Sequence, residues 1–153
     1  MNRSINPDLP IRVGITSCLH GEAVRFDGGH KRDSFLTETL GSFVEWVPVC
    51  PEVECGLGTP RASMRLVRTG TGVRLLTVKT DVDLTDRLEK YAQRRVAELA
   101  DEDLCGYVLK KDSPSCGLER VKIYDGHKVP TRSGRGIFAR QLVERFPSLP
   151  VEE

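Results

Sequence analysis

Three short apolar runs, at residues 11–17, 43–49 and 106–110, each give way to a polar stretch that carries a cysteine and a glycine. Runs of this length, rich in β-branched residues and bounded by turn formers, predict buried strands. Residues 64–67 and 73–78 flank Arg68-Thr-Gly-Thr-Gly72 and predict a β-hairpin with a glycine turn. Further on, Leu84, Leu88, Tyr91, Ala92, Val96 and Leu99 recur at helical spacing with charges between them. They predict a long helix reaching Ala100, with Asp83 or Thr85 as its cap. A shorter helix is expected after Asp33 or Ser34, with Phe35, Leu36 and Leu40 on its apolar face and Gly41 at its end. Residues 121–124, the turn Asp125-Gly126 and residues 128–129 predict a second small hairpin. A last helix, over about residues 136–146, directs Ile137, Phe138, Leu142, Val143 and Phe146 towards the core.

The alternation of strand and helix predicts an α/β fold, a three-layer Rossmann-like domain with a mostly parallel central sheet and small hairpin insertions. One such domain accounts for residues 1–153. In sheets of this kind ligands sit beyond the carboxyl ends of the strands. Cys18, Cys50 and Cys116 lie in the stretches that follow the three strands, so parallel pairing would bring them to one edge. That arrangement would let cysteines far apart in sequence form a single site.

Charge alters this picture little, because 23 basic residues nearly balance 22 acidic ones. Nothing global calls for a nucleic-acid or membrane surface. No apolar run approaches the roughly 20 residues needed to span a bilayer, and residues 1–10 lack the apolar stretch of a signal peptide. Five cysteines in such a chain suit a reducing compartment, and the expected location is cytoplasmic.

The cysteines differ in their company. Cys105 precedes a strand without polar neighbours and reads as a buried small hydrophobe. Cys55 stands between a supporting role in the site and a structural one. Cys18, Cys50 and Cys116 sit among glycine, proline and serine, where a buried apolar role is the weaker reading. Three thiolates at one edge suit a soft metal, yet no close Cys-x-x-Cys pair is present, as a closed structural zinc site often has. Spacing alone leaves an open zinc, an iron–sulfur cluster and a metal-free thiol site as alternatives.

Three motifs narrow the choice. They are Ser17-Cys-Leu with Val24-Arg-Phe-Asp-Gly-Gly-His-Lys31, then Cys50-Pro-Glu-Val53 with Thr59-Pro-Arg61, then Lys110-Lys-Asp-Ser-Pro-Ser-Cys-Gly117. In this order the chain resembles the desulfidase family typified by thiouracil desulfidase. The stretch Glu54-Cys-Gly-Leu-Gly-Thr-Pro-Arg61 is similar to the branch of two-domain proteins that desulfurate 4-thiouridine in transfer RNA. Residues 145–153 resemble the junction into the second domain of those proteins, so the chain is either a single-domain form or the first part of a longer protein. The resemblance implies a [4Fe-4S] cluster bound by Cys18, Cys50 and Cys116 with one iron left without a protein ligand. It implies non-redox hydrolysis of a thiolated pyrimidine, either free or in transfer RNA, with release of hydrosulfide.

Roles follow for the neighbouring groups. Glu52 is the candidate general acid or base, and its carboxylate is expected to be free of ion pairs. Ser113 is a candidate to hydrogen-bond the substrate or the attacking water. Ser115 is a further substrate contact, or a hydroxyl that tightens its loop. Arg25, Asp27 and His30 are candidate contacts to the base or a phosphate, against the plainer reading of a solvated loop with a turn at Asp27-Gly28. Arg61 is divided between recognising a substrate carbonyl and a structural salt bridge. Two readings of other classes stand beside the desulfidase: a thiol-based redox or sulfur-transfer enzyme, and a structural-metal or nucleic-acid binding module without turnover.

Overall fold

The computed structural model describes residues 9–153; the first eight residues, on which the reading of the N-terminus largely rests, lie outside them. The first three expected strands form as β1 (Arg12–Thr16), β2 (Glu45–Val49) and β5 (Gly106–Val108). β1 pairs in parallel with both others, Gly14 facing Val47 on one side and Tyr107 on the other. Gly14 is there because the Tyr107 ring lies across it, and a Cβ would run into that ring.

The expected hairpins form as β3 (Met64–Thr69) with β4 (Gly72–Thr77), and β6 (Val121–Tyr124) with β7 (Pro130–Gly134). They are not separate insertions. β3 pairs in parallel with β6, Leu66 opposite Ile123, and the two hairpins become one four-stranded sheet in the order β4-β3-β6-β7. The pairing satisfies two strand edges that isolated hairpins would leave open.

The described residues form three α-helices: α1 (Pro51–Glu54), α2 (Thr85–Leu99) and α3 (Ile137–Arg145). On α2 the periodic residues Leu88, Tyr91, Ala92, Val96 and Leu99 are all buried. The Thr85 N–H at its start donates to Asp83 Oδ1 at 2.9 Å, but the cap position is Leu84, without a side-chain cap hydrogen bond, so neither Asp83 nor Thr85 is the expected cap. Full burial of side chains such as Leu88 and Leu99 contributes roughly 1.5–3 kcal/mol each. One hydrophobic cluster takes Val49, Tyr107 and Leu109 from the central sheet, Leu66, Leu75 and Ile123 from the second, and Leu88 and Phe138 from the helices.

One further expectation is corrected. The short helix after Asp33 is a single π turn, Phe35–Thr39, followed by a 3-10 turn, Leu40–Ser42. Asp33 does cap it, accepting the Leu36 N–H at 3.1 Å. One turn cannot build a continuous apolar face, and Phe35 stays 62% exposed. Residues 145–153 contain one further strand, β8 (Val151–Glu152), parallel to β5 at the edge of the central sheet. Its apolar content is one valine, too little for a periodicity signal. The sheet therefore runs β2-β1-β5-β8, parallel throughout. Among the described residues no helix is long and apolar enough to cross a membrane.

Candidate active site

Each of the three cysteines is fixed by the backbone that follows its strand. After β1 the chain turns at once into a 3-10 turn, Ser17–His20, closed by Gly21 in the left-handed region. This tucks Cys18 inwards, 5% exposed. Cys50 precedes α1, whose first position is Pro51, where a fixed φ and a missing N–H cost nothing. Glu54 then reaches back, its Oε2 accepting the Cys50 N–H at 2.8 Å.

Cys116 lies in a turn closed by its own serine. Ser113 Oγ accepts the N–H groups of Ser115 and Cys116 at 3.3 and 3.0 Å. This turn is docked on α3. The N–H groups of Phe138 and Ala139, which a helix start leaves without intrahelical partners, donate to Ser115 O at 2.9 and 3.2 Å. Gly136 permits that approach, since a Cβ there would lie 2.5 Å from the Ser115 carbonyl and 2.7 Å from the Cys116 nitrogen.

Parallel pairing carries the three loops to the carboxyl edge of the sheet, where Cys18, Cys50 and Cys116 line one cavity of about 230 Å³. Thr16, Arg25, Glu52, Arg61, Lys110, Ser113 and Ser115 share its wall. Burial pushes all three thiols up, Cys116 to about 12. For Cys116 the Glu52 carboxylate adds to burial, while the Ser115 and Thr16 hydroxyls oppose it. At Cys18 the cations of Lys110 and Arg25 pull the other way. Among the described residues no three His, Cys, Asp or Glu side chains converge as the ligands of one metal ion do.

Glu52 is held on both oxygens. Its Oε1 accepts the Ser115 hydroxyl at 2.9 Å, and its Oε2 takes Arg61 Nε at 2.8 Å and Nη2 at 2.7 Å. The expectation of an unpaired carboxylate is overturned. Arg61 is committed as well, its Nη1 donating to Gly58 O at 2.9 Å and Thr59 Oγ1 at 3.3 Å. Since the single Ser115 proton goes to Glu52, Ser113 is the donor in the 3.0 Å contact between the two serines. The result is a directed line from Ser113 through Ser115 to Glu52.

Asp27 and His30 do not line the cavity. Asp27 Oδ1 accepts the Gly29 N–H at 2.8 Å and His30 Nδ1 the Arg32 N–H at 3.2 Å, so both serve their own loop. That loop is nonetheless tied to the site, with Lys31 N–H on Cys18 O at 2.9 Å and Arg61 N–H on Phe26 O at 2.7 Å. Cys55 packs against the core and its thiol meets Glu52 O at 3.3 Å. Cys105 is exposed, not buried as expected, because it sits before β5 where the chain enters the sheet from solvent.

Sequence reasoning missed Thr16, Glu54 and Gly136. Residues 50–61 read as a loop, although Pro51 followed by two glutamates is a helix-start pattern. That signal would have pointed to Glu54.

The model of the 2-thiouracil desulfurase family matches residues 13–153. Among solved structures, the [4Fe-4S]-dependent thiouracil desulfidase TudS superposes with a TM-score of 0.73 at 29% identity, covering 94% of this chain and 91% of that one. The Bacillus subtilis (strain 168) protein YbbK, whose name assigns it no function, is 28% identical over 136 residues, which is 84% of this chain and 87% of YbbK. The match spans both sheets and all three cysteine loops, and the chain belongs to the 2-thiouracil desulfurase family.

Proposed function

We propose that this cavity removes sulfur from a thiolated pyrimidine, with Cys18, Cys50 and Cys116 holding a [4Fe-4S] cluster. One observation carries the reading: three thiols from three separate loops share a cavity with a carboxylate and two serines. The donor set fits that cofactor. A cluster takes one thiolate per iron, so its ligands stand around a space, whereas the four ligands of a structural zinc meet at one point. Among the described residues no fourth cysteine lines the cavity, which supports a cluster with one iron free of protein ligands. When bound, the cluster supplies a Lewis-acidic iron for the thiocarbonyl sulfur.

The protein groups handle water and protons. In the overall change, water oxygen bonds to the ring carbon, the C–S bond breaks, and both water protons leave with the sulfur as hydrogen sulfide or hydrosulfide plus a proton. No electrons are transferred. Glu52, paired with Arg61, is the base that takes a proton from the attacking water at Oε1. Ser115 keeps that oxygen aligned, and Ser113 presents its hydroxyl at the head of the same line. Arg25 and Lys110 add positive charge to the wall, which favours the developing anion. Substrates of this class include free thiouracil, thiouridine and 4-thiouridine in transfer RNA. All five thiols are free, as a reducing cytoplasm would keep them. A reactive-thiol mechanism needs a lowered thiol pKa, and burial raises those of Cys18, Cys50 and Cys116.

Anaerobically reconstituted protein, given 4-thiouracil in oxygen-18 water without reductant, should release sulfide and place the label in uracil. Dependence on an electron donor, or unlabelled uracil, would contradict the proposal.

A further inference from the structure

We infer that Glu54 is a positioning residue for the cysteine at the head of α1, fixing the Cys50 backbone against the long helix α2. This rests on the reading of Cys50 as a cluster ligand. Glu54 Oε2 accepts the Cys50 N–H at 2.8 Å. Its other oxygen is taken from across the fold, by the Tyr91 hydroxyl at 2.9 Å and by Arg95, whose Nε lies 3.1 Å away in an ion pair. Both partners belong to α2, which is anchored through Leu88, Val96 and Leu99 in the core.

The carboxylate thus joins the head of α1 to α2, while Arg87 of α2 separately donates to Cys55 O at 3.0 Å, just past the other end of α1. α1 is four residues long, too short to hold its own orientation by intrahelical bonds. The thiol of Cys50 meets Val24 O only weakly, at 3.9 Å, and otherwise faces the backbone of Val53 and Glu52 on α1 itself. Without Glu54 the Cys50 N–H loses its acceptor, and the Cys50 end of α1 loses its carboxylate link to Tyr91 and Arg95 of α2. Arg95 also pairs with Glu98, at 3.3 Å, and Tyr91 packs in the core, so these two residues keep their places when Glu54 is changed. The effect should therefore be local to Cys50. Groups that orient a metal ligand from behind typically change metal affinity about 10-fold or more when removed.

Two readouts separate this inference from the cluster reading. In the apo chain, Glu54→Ala should speed amide exchange at Cys50 by about tenfold, the loss expected for a hydrogen bond to a charged acceptor, while amides in the middle of α2 exchange as before. In the reconstituted protein, Glu54→Ala should lose cluster absorbance to a chelator about tenfold faster than wild type, and Glu54→Gln, which keeps an acceptor oxygen, should recover most of the difference. If Glu54→Ala fails to fold, Tyr91→Phe combined with Arg95→Gln frees the same carboxylate from α2 and should speed chelator loss in the same direction. Unchanged exchange at Cys50, or chelator loss at the wild-type rate, overturns the role of Glu54. Equal loss from Gln and Ala does so too. A wild-type chain that takes up no cluster overturns the underlying reading instead, whatever the exchange data show.

Discussion

Glu52 and Arg61 form an ion pair in the wall of the cavity, with their side chains only 13% and 6% exposed. The pair has two consequences. It sets the carboxylate against a guanidinium at 2.7 Å, and it ties α1 to the segment carrying Gly58 and Thr59 through the other arm of Arg61.

Removing either partner therefore does more than test the proposed base. Glu52→Ala leaves a nearly buried guanidinium without its counter-charge, and should cost about 3 kcal/mol in urea unfolding. Glu52→Gln keeps an oxygen for Ser115 or Arg61 and is the cleaner test of chemistry. It should retain cluster absorbance while slowing sulfide release about 100-fold or more. Near-normal turnover in Glu52→Gln would take Glu52 out of the mechanism.

Gly136→Ala addresses how the Cys116 turn is held. The added methyl would press on the Ser115 carbonyl and the Cys116 nitrogen, at 2.5 and 2.7 Å, both backbone atoms unable to step aside. Overpacking of this kind costs roughly 1–3 kcal/mol. The variant should melt at lower temperature and reconstitute poorly, whereas Gly70→Ala, with open space around it, should do neither.

Much of this arrangement is legible in the sequence. The three apolar runs followed by cysteines were enough to expect a parallel sheet and one shared edge, because strand burial and connection rules act locally. The helix α2 declared itself through strict periodicity. Long-range facts stayed hidden. Nothing in the hairpin sequences says that Leu66 would meet Ile123, because parallel pairing between distant strands leaves no local pattern. β8 is too short and too polar to signal itself. The ion pair of Glu52 is equally silent, since its partner is chosen by the path of residues 55–61. Glu54 is the exception, because Pro51 and the two glutamates after it carry a local helix-start signal.

The buried thiols give the apo protein a predictable response to alkali. The Cys116 thiol stands at about 12 in the folded chain against an ordinary value of 9.0. Its folded pKa is raised, so its contribution is whole below about 9, where folded and unfolded chains both carry the proton. Above that the unfolded chain sheds the proton first, and stability falls as pH rises towards 12. Cys18 and Cys50 shift in the same direction. The urea midpoint of apo protein should decline over this range, and Cys116→Ala should lessen the decline. An apo midpoint flat from pH 8 to pH 11 would show the thiol to be far less buried than described.

The central claim is that Cys18, Cys50 and Cys116, and no other cysteine, hold the cluster. Iron bound per chain after anaerobic reconstitution tests it most directly, measured for serine replacements at all five cysteines. Wild type, Cys55→Ser and Cys105→Ser should each bind about four irons, and replacement of Cys18, Cys50 or Cys116 should abolish or sharply reduce binding. Full iron content in any of those three variants, or its loss in Cys55→Ser, would contradict the account.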